Sequence, residues 1–174
     1  MWNLVKSLFA GRASSPSAGG SSNAGREKRY IQREGQAVET DKVFDAWTSG
    51  DLSEMVNALK VKTNLVDRHF LLMGIVNHTY KHRKDRRMRD LCKQISELHM
   101  QEFRRIAPAL RKEMGGILPR VTTFQHYVTV LTEDGEYDKA IEVCRKAIAF
   151  GLHDGTKSGF RGRIARINKK REGK

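Results

Sequence analysis

The sequence predicts an all-α fold, and three observations carry that prediction. Apolar residues recur at three- and four-residue spacing from about residue 37 to the C-terminus, as helices with one buried face require. The strict apolar/polar alternation of a half-buried strand is not found. Only three prolines occur in 174 residues, Pro16, Pro108 and Pro119, which leaves long stretches free to be helical.

Taken in order, residues 1–10 (MWNLVKSLFA) form a short apolar tip. Trp2, Leu4, Val5, Leu8 and Phe9 share one helical face. The run 11–27, GRASSPSAGGSSNAGRE, has no periodicity and too little hydrophobicity to offset the cost of ordering it, so it reads as a flexible linker. The expected organisation is tip plus linker over 1–35, a helical domain over 36–170, and a basic end at 171–174. Three roles stand for the tip: docking on the chain's own body, binding a partner, or peripheral membrane contact. One lysine and about ten residues are weak equipment for the last, which is disfavoured.

Residues 41–63 read as two short helices broken at Thr48-Ser49-Gly50. Asp51 or Ser53 caps the second, whose stripe is Met55, Val56 and Leu59. A longer helix follows over 64–82, with Leu65, Val66, Phe70, Met73, Val76 and Tyr80 at helical spacing. After the charged break HRKDRR, the residues Met88, Leu91, Cys92, Ile95, Leu98 and Phe103 define another. Pro108 and Gly115-Gly116 are expected to interrupt the chain around a short ALRKEM turn. A helical hairpin then occupies 121–151, and a basic amphipathic helix closes the chain with Phe160, Ile164 and Ile167 on its stripe.

Composition bounds the function. Hydrophobic residues at 39% and charged residues at 30% describe a water-soluble domain. No run approaches the roughly 20 apolar residues of a membrane-spanning helix. The net charge of +13 attracts polyanions such as RNA, DNA or anionic lipid. Two cysteines, Cys92 and Cys144, and no signal-peptide pattern argue for a reducing, cytoplasmic location.

The hairpin carries the most specific pattern. Phe124, Tyr127, Val128 and Leu131 mark one face of its first helix, and Asp134-Gly135 marks the turn. Ala140, Val143, Cys144, Ala147 and Ile148 line the second helix, where the small alanines let two backbones approach closely. Such a pair cannot bury both its faces alone and implies stacked neighbours of the same kind.

Residues 121–152 resemble a tetratricopeptide repeat, a helix–turn–helix unit of about 34 residues. Phe124 stands where that family favours an aromatic, Gly135-Glu136-Tyr137-Asp138-Lys139-Ala140 matches its G-x-Y-x-x-A turn, and Ala147 matches its second small position. Val128, Leu131 and Leu152 depart from the family's Gly or Ala, Tyr and Pro. An earlier, degenerate unit lays Phe70 on Phe124, Gly74 on Val128, and Met88, Cys92 and Ile95 on Ala140, Cys144 and Ala147. A still earlier one is suggested by Gly50-Asp51-Leu52 and Met55. The resemblance implies a short right-handed α-α superhelix of helical hairpins with the basic C-terminal helix as a cap. The alternative is a non-repetitive helical bundle containing one lookalike hairpin.

In that family the first helices of successive repeats line a groove. The implied partner-binding positions are Thr122, Gln125, Thr129 and Thr132, with Glu133 nearby, and Arg68, Leu71, Ile75 and His78 on the preceding unit. Gln125 and Thr129 lack the Lys and Asn of the carboxylate-clamping subset. The same residues also fit a merely solvated face. A second candidate surface is basic: Arg83, Arg86 and Arg87 in the charged break, and Arg161, Arg163, Arg166, Lys169 and Lys170 in the tail. At such density they neutralise phosphates or simply solubilise. Aromatic interleaving for base stacking is sparse.

No catalytic, cofactor or metal site is expected. His78 and His82 lie four apart, but further ligands are missing and positions 79–81 are Thr-Tyr-Lys. Cys92 and Cys144 read as buried small residues. Gly155-Thr156-Lys157-Ser158-Gly159 lacks the phosphate-loop frame. The leading expectation is therefore a non-catalytic scaffold binding a protein or peptide in a helical groove. The alternative is a helical protein that binds the RNA or DNA backbone through its basic clusters.

Overall fold

The computed structural model describes residues 28–173. The apolar tip, and the part of the expected linker before residue 28, lie outside the described residues. The described chain opens on a β-hairpin: β1 (Tyr30–Arg33) pairs antiparallel with β2 (Gln36–Glu39), Ile31 opposite Val38. The expectation that no strand would be present is therefore corrected, although the fold remains mostly helical. Strands of four residues offer too few positions for alternation to register. Their turn, Glu34-Gly35, takes φ values of 52° and 82° without the Asn-Gly or Asp-Gly pair that usually marks such a geometry.

The helices among the described residues are α1 (Lys42–Ser49), α2 (Leu52–Asn57), α3 (Leu65–Lys81), α4 (Arg86–Glu113), α5 (Thr122–Glu133), α6 (Tyr137–Ala149) and α7 (Gly159–Glu172). A 3₁₀ turn over Ala58–Lys60 extends α2. The side chains of Asp41, Asp51, Asn64 and Asp85 accept from the first free backbone N–H groups of α1, α2, α3 and α4, so each start is chemically capped. Gly50, at φ 72°, ends α1 where the Thr48-Ser49-Gly50 break was expected.

One expected interruption does not occur. α4 runs unbroken for 28 residues through Pro108. An interior proline costs about 3 kcal/mol through its missing N–H and its ring clash. Ile106, Ala107, Ala109 and Leu110 around it are all buried, and each large apolar side chain so buried contributes roughly 1.5–3 kcal/mol. Burial outweighs the proline, and the chain turns instead at Gly115-Gly116, both at positive φ.

Successive helices pack on their predecessors. α3 contacts α1, α2 and α4; α5 contacts α3, α4 and α6; α7 contacts α6. Leu71, Leu72, Ile75 and Val76 of α3 meet Leu91, Cys92, Phe103 and Leu110 of α4 in a core that continues through Phe124 and Leu131 to Ala140, Cys144 and Ala147. Phe103 sits edge-on to Phe124 at 5.2 Å and to Phe150 at 4.9 Å. At Gly74, a Cβ atom would lie 2.9 Å from the Met55 sulfur, so α3 passes α2 at a distance that only glycine permits without movement.

Two polar groups are embedded in this core. The Asp67 carboxylate, 1% exposed, accepts from Arg33 (Nη2, 2.6 Å), Trp47 (Nε1, 3.1 Å) and Asn64 (Nδ2, 2.6 Å). Arg33 also reaches Glu113 at 3.3 Å, which ties the hairpin to the start of α3 and the end of α4. Deeper in, His69 Nδ1 lies 3.0 Å from His99 Nε2, and His99 Nδ1 lies 2.8 Å from the Thr123 hydroxyl. All three residues are fully buried.

Candidate functional site

α7 follows α6 through a turn that one buried carboxylate organises. Asp154 accepts from the Thr156 backbone N–H at 3.0 Å and its hydroxyl at 2.7 Å, and from the Arg163 guanidinium. Its burial works to raise its pKa, but the Thr156 and Arg163 hydrogen bonds prevail and hold it at about 2. Phe160 and Ile167 bury on the inner stripe of α7, with Ile164 packed beside them. That anchors the helix and turns Arg163, Arg166 and Lys170 toward α5.

Between α5 and α7 lies an open cleft of about 250 Å³. Val128, Thr129, Thr132 and Glu133 line one wall, and Arg163, Arg166, Ile167 and Lys170 the other. Val128 and Ile167, both nearly fully buried, form an apolar floor. The threonine hydroxyls donate backwards along α5, Thr129 to the Gln125 carbonyl at 2.9 Å and Thr132 to the Val128 carbonyl at 2.7 Å. They therefore face the cleft as acceptors, and its donors are the cations.

Those cations are not equivalent. Arg163 is held by Asp154 and by Thr129 at 3.4 Å. Among the described residues, Arg166 reaches only Ser158, at 3.3 Å, and is exposed. Lys170 is exposed and has no partner among the described residues. Glu133 is the one acid of the lining, and Arg83 (3.1 Å) and Arg89 (3.1 Å) already neutralise it. Burial opposes that ionisation, yet the hydrogen bond from Arg83 leads the interactions that keep the Glu133 carboxyl below its usual range. The cleft is consequently net positive.

A larger hollow of about 530 Å³ lies between α4 and α6, lined by Met100, Tyr127, Val143 and Phe150 among others. Its charges are paired with one another, Lys139 with Glu97 and Lys146 with Glu142. Tyr127 donates to Glu97. It offers a ligand fewer unsatisfied groups than the smaller cleft.

The residues expected to line a groove separate accordingly. Thr129 and Thr132 face the cleft. Thr122 instead donates to Asn77 at 2.6 Å, and Gln125, 8% exposed, accepts from Arg120 at 3.0 Å. Arg68 is paired with Glu102 at 2.8 Å and donates to the Leu59 carbonyl. Leu71 and Ile75 have no exposure and belong to the core, which corrects their placement in a groove. His78 is half-buried beside His82, ring centroids 5.2 Å apart, and burial foremost lowers its pKa.

The basic residues are also divided. Arg83 is bound to Glu133 and lies over the Tyr80 ring at 4.2 Å. Arg86, Arg87, Arg161 and Lys169 are exposed and carry no acidic partner among the described residues. Arg163, Arg166 and Lys170 join the cleft, so part of the basic set and part of the groove set form one site. Sequence reasoning missed Val128 and Ile167 as a shared floor, because each read as core of its own helix. It also missed Asp154 as the anchor of Arg163, although this acid stands just before the basic run and was the available signal.

His126 on α5 stacks on Tyr80 of α3 at 3.8 Å. Burial, then the charges of Arg120, Arg163 and Arg83, push it down to about 4, so the imidazole is neutral at ordinary pH. Among the described residues no group of His, Cys, Asp or Glu is arranged to hold a metal ion, and no helix is long and apolar enough to cross a membrane. No family model, curated protein or solved structure matches this chain.

Proposed function

We propose that the chain is a non-catalytic interaction scaffold built of tetratricopeptide-like helical hairpins and that it holds a protein or peptide partner in the α5–α7 cleft. Pairing α1 with α2, α3 with α4 and α5 with α6, and placing α7 as a cap, gives the short right-handed superhelix that the repeat resemblance implies. The packing of each helix on its predecessors supports that arrangement. The close passage of α3 over α2 at Gly74 supports it too, since the repeat alignment lays this residue on the family's glycine position. The reading includes a cytoplasmic location.

One observation carries the reading. The cleft joins an apolar floor, Val128 and Ile167, to two exposed cations, Arg166 and Lys170, that no acid of the described chain neutralises. Convergent polar groups around an apolar depression are what a binding site requires. A second reading is binding to the nucleic-acid backbone, favoured by the exposed and acid-free Arg86 and Arg87.

Affinity capture on the immobilised full chain, with and without nuclease, tests both. The scaffold reading expects a protein partner that survives nuclease, is lost when Thr132→Trp fills the cleft, and is retained by Arg86→Glu/Arg87→Glu. Capture that vanishes with nuclease and with the arginine pair, yet survives Thr132→Trp, overturns it in favour of nucleic acid. Unchanged melting temperatures confirm that the variants are folded.

A further inference from the structure

We infer that the α5–α7 cleft is a receptor for an acidic, aliphatic peptide segment, whose carboxylates engage Arg166 and Lys170 while an aliphatic side chain rests on Val128 and Ile167. This rests on the scaffold reading and names its ligand class.

The size of the cleft is the first argument. Its volume of about 250 Å³ falls below the roughly 300–1,000 Å³ typical of pockets for cofactors and small molecules. A space of that scale seats a peptide side chain. It also extends over more than one helical turn on each side, lined by residues 128 to 133 of α5 and by residues 163 to 170 of α7.

Chemistry selects the sign of the ligand. The Thr129 and Thr132 hydroxyl protons are bonded to carbonyls of their own helix. Glu133 is paired twice over with Arg83 and Arg89. Arg163 is retained by Asp154, whose carboxylate side chain has no exposure. What remains to meet a ligand is donors, the Arg166 guanidinium and the Lys170 ammonium. These stand one helical turn apart, about 6 Å along α7, a spacing that two acidic side chains of one peptide span. Charge-assisted hydrogen bonds to carboxylates are among the stronger polar contacts available at a protein surface.

The lining also discriminates among anions. No aromatic ring is among the residues that line the cleft, so successive bases of a single strand find no stacking platform there. The apolar floor has no counterpart in a phosphate backbone, whereas a leucine or isoleucine side chain covers it. The observations thus favour an acidic peptide over a nucleic acid.

Fluorescence anisotropy on the purified full chain, at physiological ionic strength, provides the test. Three labelled probes are compared: a short peptide in which Leu and Glu recur at helical spacing, the same peptide with every Leu replaced by Ser, and a single-stranded oligothymidylate of matched charge. The Leu/Glu peptide is expected to bind about tenfold or more tightly than either control. Arg166→Gln and Lys170→Gln are each expected to weaken it by about tenfold, as loss of one charge-assisted hydrogen bond does. Arg86→Gln/Arg87→Gln is expected to leave it unchanged. Equal binding of the Ser peptide or the oligonucleotide overturns the inference, since it describes a general polyanion surface. An affinity indifferent to Arg166 and Lys170 overturns it as well.

Failure here is separable from failure of the scaffold reading. If no acidic peptide binds but protein capture is still abolished by Thr132→Trp, the ligand class is wrong and the cleft is right. If both fail, the scaffold reading falls with it.

Discussion

Mild acid is expected to destabilise this protein, and the buried histidines are the reason. His69 lies between Phe70 and Phe103, with ring centroids 5.1 and 6.4 Å away, and its Nδ1 faces His99 across 3.0 Å. Its Nε2 is buried without a partner. While neutral, the two rings are linked by hydrogen bonds in the Thr123–His99–His69 chain, but a further proton places a cation in an apolar core. Burial pushes His69 down to about 4, and burial, with smaller pressure from His69 and Arg68, pushes His99 well below its ordinary value. His126 behaves like His69, at about 4. The unfolded chain takes up these protons as pH falls through about 6.5, whereas folded His69 and His126 do not until about 4, and His99 resists protonation in the same sense. The stability is therefore complete above pH 6.5 and lost as pH falls from there toward 4. At pH 5 the locked His69 alone costs about 2 kcal/mol against a usual total of roughly 5–15 kcal/mol, His126 adds less because solvent screens it, and His99 adds in the same direction. Asp154 contributes nothing to this loss, because its own window lies below pH 4. Urea titrations followed by circular dichroism at pH 7, 6 and 5 are expected to show a midpoint that falls steadily. The double variant His69→Leu/His99→Leu is expected to lose most of that pH dependence. A midpoint equal at pH 7 and pH 5, or a wild-type slope retained by the double variant, refutes the reasoning.

Two substitutions test the joints of the fold. Asp67→Ala leaves the Arg33 guanidinium and the Trp47 and Asn64 donors without their buried acceptor, and is expected to cost about 3–5 kcal/mol in denaturant unfolding. In a double-mutant cycle, Arg33→Ala is expected to add little once Asp67 is gone; full additivity would show that the two side chains do not interact. Gly74→Ala drives a methyl group to within 2.9 Å of the Met55 sulfur and is expected to cost about 1–3 kcal/mol. Truncating Met55 to Ala in the same chain is expected to make the pair cost less than the sum of its parts, and strict additivity in thermal melts would contradict the close approach.

What the sequence revealed follows the strength of its periodic signals. The hairpin of α5 and α6 was legible nearly residue by residue: Phe124, Tyr127, Val128 and Leu131 bury on one helix, Ala140, Cys144 and Ala147 on the other, and Gly135 turns between them at φ 78°. Phe160 and Ile167 behaved likewise on α7. Pro108 misled, because the penalty of a proline is local whereas the burial that overrides it comes from distant helices. The β-hairpin escaped because its stability is tertiary. Arg33 reaches Asp67, 34 positions along the chain, and Glu113, 80 positions along, and no local pattern announces such partners.

The charges carry the most instructive mismatch, since sequence density alone treats neighbouring cations as equals. Arg83 and Arg89 stand in the densest basic run, yet their guanidinium groups cross from the α3–α4 turn and the first turn of α4 to Glu133 at the end of α5 and to Asp134, which caps it. They serve as struts between consecutive hairpins, and Lys93 repeats the device with Asp134 and Glu136. Because Glu133 is drawn into those struts, it no longer neutralises the cleft it lines. The ion pairs that join the hairpins thus leave Arg166 and Lys170 at the mouth of the cleft as exposed cations without an acidic partner among the described residues. Arg83→Ala accordingly releases part of Glu133 toward Lys170, and is expected to weaken binding of an acidic probe although Arg83 itself lines no part of the site. Unchanged affinity in that variant, measured with the Leu/Glu peptide, would show that the struts and the cleft are electrostatically independent.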